Sequence, residues 1–425
     1  MKRLLIYCIL SLLILNKSFA QKEYNKILLE HATIHIGNGE VIPTGLVGIE
    51  NGKITLIKNS LAYTVDRSLW DTVLNLSGQH VYPGFVAPNS TLGLTEIEAV
   101  RASNDFDEVG QINPHVRSQI AYNCESKVLE TVKTNGVLIV QSTPRGGLIS
   151  GSSSVMSASC WNWEDGTILA DDGIHIQWPH AYSLDKKTGI RAANPKYDET
   201  ILKLKSFLVA AKTTLYNKEK ITPIHYAAVT PCFNGTKRMY FHAETIQQIN
   251  DILDFVSELE VAFPVIVGGY ESYLVAQRLK LKNIPVMLGR LHQLPMHEDD
   301  PVDLPYKLPF LLEQAGVKFC LQNEGDMEAM QARNIPFLAG TAYSYGLNEE
   351  TAIRSVTLSA CEIMGIEKNY GSIEIGKSAT LFCSNGSALD MASNQITTIL
   401  IRGVFVPVNT FQTTLYEKYK KKYKK

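Results

Sequence analysis

The chain has 425 residues, 45% of them apolar and 20% charged, with a formal net charge of −1. This is a globular composition, and the near-zero balance excludes a global polycationic footprint for nucleic acid. The length allows one large barrel or two to three smaller domains.

Lys2 and Arg3 precede an apolar run, residues 4–15 (LLIYCILSLLIL), that is too short to span a bilayer comfortably. Ser18-Phe19-Ala20 supplies the small residues of a cleavage site, so the pattern predicts a signal peptide over 1–20 and a mature chain beginning at Gln21. Cys8 lies inside the run with no small-residue lipobox before it. No later run approaches the roughly 18 apolar residues of a membrane span. The expectation is an exported protein, periplasmic or secreted, without stable membrane insertion. Cys124, Cys160, Cys232, Cys320, Cys361 and Cys383 are far apart and form no C-x-x-C pair, so neither a zinc nor a redox motif emerges. Export permits disulfides, but a chain this long needs none, and buried free thiols are expected.

Residues 26–81 alternate short strand-like runs with turns, and Asn51-Gly52 between VGIE and KITLI is a strong hairpin signal. From Gly84 to about Gly371 short apolar runs alternate with amphipathic stretches. The runs are GVLIVQS, ITPIHYAAV, MYFHAET, FPVIVGG, IPVMLGR, VKFCLQN and IPFLAGT; the stretches include ETIQQINDILDFVSELE and ESYLVAQRLKLKN. Strands alternating with helices predict βα units, and their number suits a (β/α)8 barrel of the TIM type. After Tyr370 the β character returns in GSIEIGKSATLFCSN and QITTILIRGVFVPV. The expected organisation is α/β. Residues 21–82 and 372–410 build a small discontinuous β-sandwich from both chain ends, residues 83–371 form the barrel, and 411–425 are a basic tail. GSIEIGKS, residues 371–378, matches the P-loop spacing, but it follows a helix and runs into a strand-like segment. A phosphate-cradling loop needs the opposite order, so nucleotide binding is not expected.

The combined pattern resembles the amidohydrolase superfamily, in particular its exported, imidazolonepropionase-like bacterial branch. HATIHIGNGE, GLVGIENGKITLI and YPGF are similar to that family's opening β-domain and first barrel strand. LNEETAIRSVTLSACEIMGIEKNYGSIEIGKSATLFCSNGSALDM is similar to its closing helix and return to the β-domain. The resemblance implies hydrolysis of non-peptide C–N bonds with one or two divalent metals, commonly zinc, at the C-terminal mouth of the barrel. It also implies a ligand set: His-x-His on strand 1, a carboxylated Lys or a Glu on strand 4, one His each on strands 5 and 6, and an Asp on strand 8. Two histidines at alternate strand positions aim at one ion because such positions share a face.

This chain departs from that set. The strand 1 positions fall on Asn89 and Thr91, and none of the ten histidines forms His-x-His. His242 in MYFHAET keeps the strand 5 position. Gly268 or Gly269 stands at strand 6. With FLAGTAYSYGL as strand 8, the aspartate position falls on Thr341 or, with a one-residue slip, Ala342. With ITPIHYAAV as strand 4, no lysine is well placed. Asn and Thr oxygens are weak zinc ligands. His242 is therefore the one catalytic candidate, no metal site is intact and no cofactor is expected, zinc being the alternative.

Other residues remain as ligand-binding candidates. Glu244 lies two positions beyond His242. Arg145, in the glycine-rich stretch 142–154 read as a loop after a strand, could hold a carboxylate or phosphate. His292 opens a cluster with His297, Glu298, Asp299, Asp300 and Asp303 that could form a substitute metal site or a charged surface loop. In WNWED, residues 161–165, one Trp is expected to pack and the acids to be exposed. The reading that follows is a protein that binds a small molecule, or partners a complete amidohydrolase or a second copy of itself, with no nucleic-acid role. The alternative is an active hydrolase of a cyclic amide, imine or related C–N substrate.

Overall fold

The computed structural model describes residues 24–184, 191–216 and 222–423. The expected signal peptide, residues 1–20, lies outside them.

The opening β-region contains β1 (Lys26–His35), β2 (Val41–Glu50), β3 (Lys53–Asn59), β4 (Thr72–Asn75) and β5 (His80–Pro83). The β2–β3 turn is Asn51-Gly52, with φ of 51° and 78°. Two consecutive left-handed residues are what a tight twisted hairpin requires. After β6 (Phe85–Ser90) come β7 (Val137–Ser142), β8 (Ile149–Ser157), β9 (Thr167–Gln177) and a short ribbon of β10 (Tyr182–Leu184) with β11 (Arg191–Ala193). Then follow β12 (Arg238–Ala243), β13 (Pro264–Gly268), β14 (Val286–Leu288) and β15 (Phe319–Leu321). The chain closes with β16 (Leu381–Ser384), β17 (Ile396–Ile401), β18 (Val404–Val406) and a basic helix, Phe411–Tyr423.

The first and last groups join one eight-stranded hydrogen-bonded sheet, in which β16 runs antiparallel to β5. Ile27, Leu29, Ile34, Val81, Leu381 and Leu400 form its apolar core. The remaining main strands form a second eight-stranded sheet in the order β15-β14-β13-β12-β9-β8-β7-β6. This sheet nearly closes on itself: Asn89, at the end of β6, reaches Gln322, just past β15, at 3.5 Å. Val86, Ile139, Val155, Tyr240, Val265 and Met287 fill its interior together with Cys361 and Met364 of the helix Leu358–Met364.

This sheet departs from eight parallel strands. β8 runs antiparallel to both β7 and β9. The stretch expected as a loop over 142–154 is therefore a short connection, 143–148, followed by a strand whose residues are all buried. Serines and glycines satisfy the ladder through their backbones, and so hide the strand from a pattern of side chains.

Two strand assignments are corrected. ITPIHYAAV contains the helix Ile224–Val229, with Pro223 at its N-cap, and the neighbour of β12 is β9. FLAGTAYSYGL lies on the helix Ile335–Ser344, where Pro336 takes the first turn, a position that tolerates the missing N–H. The eighth strand is β15, from VKFCLQN. The amphipathic stretch 244–260 is helical as expected: Ile246–Leu259 opens with a Thr245/Gln248 capping box and buries Ile249, Ile252, Leu253 and Val256. No helix follows GSIEIGKS, and Lys377 there pairs with Glu374. Among the described residues no helix is long and apolar enough to cross a membrane.

The expectation of free thiols throughout is also corrected. Cys124 and Cys160 form a disulfide, while Cys232, Cys320, Cys361 and Cys383 are free and buried. The reversed β8 explains the pairing. It returns the chain to the start of β7, Ser157 opposite Ile139, beside the segment that carries Cys124. The bond closes a separation of 36 residues, so the Cys124→Ser/Cys160→Ser variant should lose about 4 kcal/mol on the chain-entropy model. A denaturant midpoint unchanged from that of the oxidised protein would remove any stabilising role for this bond.

Candidate active site at the barrel mouth

Alternation on the strands delivers a polar layer above the apolar interior. Beyond Ile139 lies Gln141, beyond Tyr240 lies His242, and beyond Cys320 lies Gln322. On β8 and β9 the corresponding residues are Ser153 and His175. Asn89 enters differently. It takes a left-handed conformation, φ 47°, where the β6–β7 register shifts. Alternation breaks there, and its side chain turns toward the eighth strand.

The layer is one connected hydrogen-bond network. Arg145 donates from Nη1 to Asn89 Oδ1 at 3.0 Å and from Nη2 to the Asn89 carbonyl at 2.8 Å. It also forms an ion pair with Glu328 at 3.0 Å. Asn89 Nδ2 donates to Glu324 Oε2 at 2.7 Å. Its backbone N–H donates to Gln141 Oε1 at 2.9 Å. Gln141 donates in turn to Asp172 at 2.8 Å. Asp172 also accepts from Tyr240 OH at 2.6 Å and Ser153 Oγ at 2.7 Å. Ser153 Oγ meets His175 Nε2 at 3.0 Å, and His175 Nδ1 meets His242 Nε2 at 2.9 Å. His242 Nδ1 faces Glu324 Oε2 at 3.8 Å.

Burial dominates the charge states. It pushes His242 down to about 3, helped by the Arg145 guanidinium, and carries His175 in the same direction. Both rings are therefore neutral near pH 7. Burial and the facing Glu324 carboxylate push Glu244 up to about 8. Glu324 is also raised by burial, and Arg145 opposes the rise. Burial thus favours the protonated form at both carboxyl groups, and the charge of one opposes ionisation of the other.

The glycines of the sixth strand have a structural use. Gly268 has φ 93°, and a Cβ placed there would lie 2.1 Å from Glu244 Oε1. Glu244 fills that space and accepts a hydrogen bond from Tyr270 N at 2.9 Å. Gly269, φ 68°, follows at the cap of the next helical turn.

The other sequence candidates are not among the hydrogen-bonded members of this network. Thr91 is buried and lines a cavity of about 190 Å3 with Thr95, Arg145 and Glu328. Thr341 is on a helix, donates to the Phe337 carbonyl and accepts from His292 Nε2 at 2.7 Å. That pair lines a second cavity of about 610 Å3, beside Tyr345 and Asp390. The cluster opened by His292 does not converge: His297 pairs with Glu271 at 2.6 Å and Asp303 with Lys307. Trp163 packs on the main core, whereas Trp161, Glu164 and Asp165 are exposed. Sequence reasoning missed Gln141, Ser153, Asp172, His175, Gln322, Glu324 and Glu328. Glu324 had a usable signal, since it follows the apolar run VKFCLQN directly.

No family model matches the chain, and no curated protein matches it. Solved structures do. An amidohydrolase from Thermotoga maritima MSB8 is 24% identical with a TM-score of 0.77, over 90% of this chain and 99% of that one. The chain carries the amidohydrolase fold. A prolidase complexed with N-methylphosphonate-L-proline has a TM-score of 0.56 at 15% identity, over 90% of this chain and 99% of that one. An adenosine deaminase from Xanthomonas campestris with bound zinc has a TM-score of 0.56 at 14% identity, over 93% and 97%. In this version of the amidohydrolase fold, the strand ends meet in an Arg–Asn–Glu hydrogen-bond network. Among the described residues no group of three or more His, Cys, Asp or Glu is arranged to hold a metal ion. A guanidinium bonded to Asn89 adds a fixed positive charge to that donor set, which a second cation would have to approach.

Proposed function

We propose that this chain is an exported amidohydrolase-fold protein that has lost the standard metal site and holds a small organic ligand at the barrel mouth. The observation that carries this reading is the Arg145–Asn89 contact. At the first-strand position, a cation built into the chain is hydrogen-bonded to a neutral amide. Partnership with a complete amidohydrolase or a second copy is compatible with the same loss. Elemental analysis of the purified mature protein after dialysis tests the reading, with well under one zinc per chain expected. About one zinc per chain, together with chelator-sensitive hydrolysis of a cyclic amide, imine or dipeptide-like substrate, would overturn it.

One observation favours a second reading, hydrolysis without metal. Glu244, against Gly268 at the end of the sixth strand, is pushed up to about 8 by burial and the Glu324 charge, the range in which a carboxyl can serve as a general acid. Chelator-resistant turnover that is lost in Glu244→Gln and in Glu324→Gln would select it.

A further inference from the structure

Beneath the mouth, four side chains form a single file from buried carboxylate to ligand-facing ring: Asp172, Ser153, His175 and His242. Asp172, Ser153 and His175 are completely or almost completely buried. Each link has one proton, and its direction at one end fixes the direction at the next. Burial raises the Asp172 carboxyl, but the Tyr240, Ser153 and Gln141 donors and the Arg238 charge oppose it, and as the carboxylate those three donors hold, it can only accept. The Ser153 hydroxyl therefore donates to Asp172 Oδ1 at 2.7 Å, with the Gly173 carbonyl a longer alternative at 3.4 Å. With that hydrogen committed, Ser153 Oγ accepts from His175 Nε2–H. His175 Nδ1 is then bare, and accepts from His242 Nε2–H. His242 Nδ1 is left without a proton, at the end facing the mouth.

We propose that Asp172, acting through Ser153 and His175, fixes His242 in its Nε2–H form and presents Nδ1 to the mouth as a bare acceptor, matched to a ligand group that donates N–H or O–H. The proposal rests on the mouth being a ligand site, and it narrows the class of ligand. Asp172 is set up to hold the start of the file. Tyr240 OH and the Gln141 amide both donate to its other oxygen, at 2.6 and 2.8 Å. The far end is open, because Glu324 Oε2 at 3.8 Å is beyond a good hydrogen bond. The rings being neutral lets each carry one donor and one acceptor. The other charges around the file are Arg145 and Glu244 at the mouth and Arg238 toward Asp172. Asp172, Ser153 and His175 are positioning residues, since none of them reaches the mouth.

The test is the tautomer of each ring, read by two-bond proton–nitrogen correlations on full-length mature protein carrying 15N-labelled histidine, with His175→Gln and His242→Gln used for assignment. His175 and His242 are both expected as Nε2–H. In Asp172→Asn the amide oxygen keeps the Tyr240 and Gln141 bonds and the amide N–H donates to Ser153. The hydroxyl then turns toward His175 Nε2 at 3.0 Å in preference to the Gly173 carbonyl at 3.4 Å, and both rings are expected to switch to Nδ1–H. A structural role for Asp172 would not move the ring pattern in this way. Wild-type His242 in the Nδ1–H form, or an unchanged His242 in folded Asp172→Asn, would overturn the proposal. Should Asp172→Asn not fold, Ser153→Ala cuts the file and should leave His242 without a tautomer preference; a retained Nε2–H form would be equally fatal. The measurement needs no ligand, so its failure is distinct from failure of the mouth to bind one.

Discussion

Replacing Arg145 by methionine should lower stability by about 1.5–3 kcal/mol, the range for losing hydrogen bonds to a charged group at a partly buried site. The Arg145 and Glu328 side chains are 18% and 12% exposed, so water replaces the guanidinium only in part. Glu328 is left without its cation, and both the side-chain and backbone oxygens of Asn89 lose a donor. Lysine at this position keeps the charge but cannot make the three-way contact, and should recover part of the loss. Removing the positive charge also lets the His242 pKa rise from its depressed value. Urea unfolding of the methionine and lysine variants measures the first effect. A methionine variant as stable as the parent would mean that the network carries no net energy.

The second large effect concerns the sixth strand. Gly268→Ala should destabilise by about 1–3 kcal/mol from the left-handed backbone alone, with the contact against Glu244 added. Histidine there should be worse, because its ring needs the volume the carboxylate fills. The pair is separable in a double-mutant cycle. Combining Gly268→Ala with Glu244→Ala should cost less than the sum, by roughly 0.5–3 kcal/mol, the range for residues in contact. Strict additivity would show that Glu244 yields without cost. This coupling bears on the proposed loss of metal. Restoring one histidine by a single change would leave the carboxylate in its place.

Some of this site was legible in the sequence and some was not, for identifiable physical reasons. Asn89, His242 and Glu244 sit on strands or strand ends whose apolar runs are long enough to show alternation. The helix with Ile249, Ile252, Leu253 and Val256 on one face was equally plain. The eighth strand was not. Phe319–Leu321 has three residues, too few to display a period, whereas Ile335–Ser344 is apolar nearly all round and mimics a buried strand. Thr341 took the place of Glu324 for that reason. The reversed strand β8 was concealed by Ser150, Ser152, Ser153 and Ser154, a run that reads as a loop yet is wholly buried. With β8 and β9 unread, Ser153, Asp172 and His175 had no recognisable setting.

The antiparallel pairing of β5 with β16 has a consequence for the order of assembly. β5 already pairs with β1 on one side, and its other edge waits for Leu381–Ser384, about 300 residues further along the chain. Contacts of such high sequence separation form late, because the intervening loop must be closed first. The meander of β7, β8 and β9, by contrast, is made of neighbouring segments and can form as soon as it leaves the ribosome. A growing chain therefore exposes an unpaired strand edge, the kind that recruits other chains, through most of its synthesis. β16 is what covers that edge, so Leu381–Ser384 act as the chain's internal protection against association.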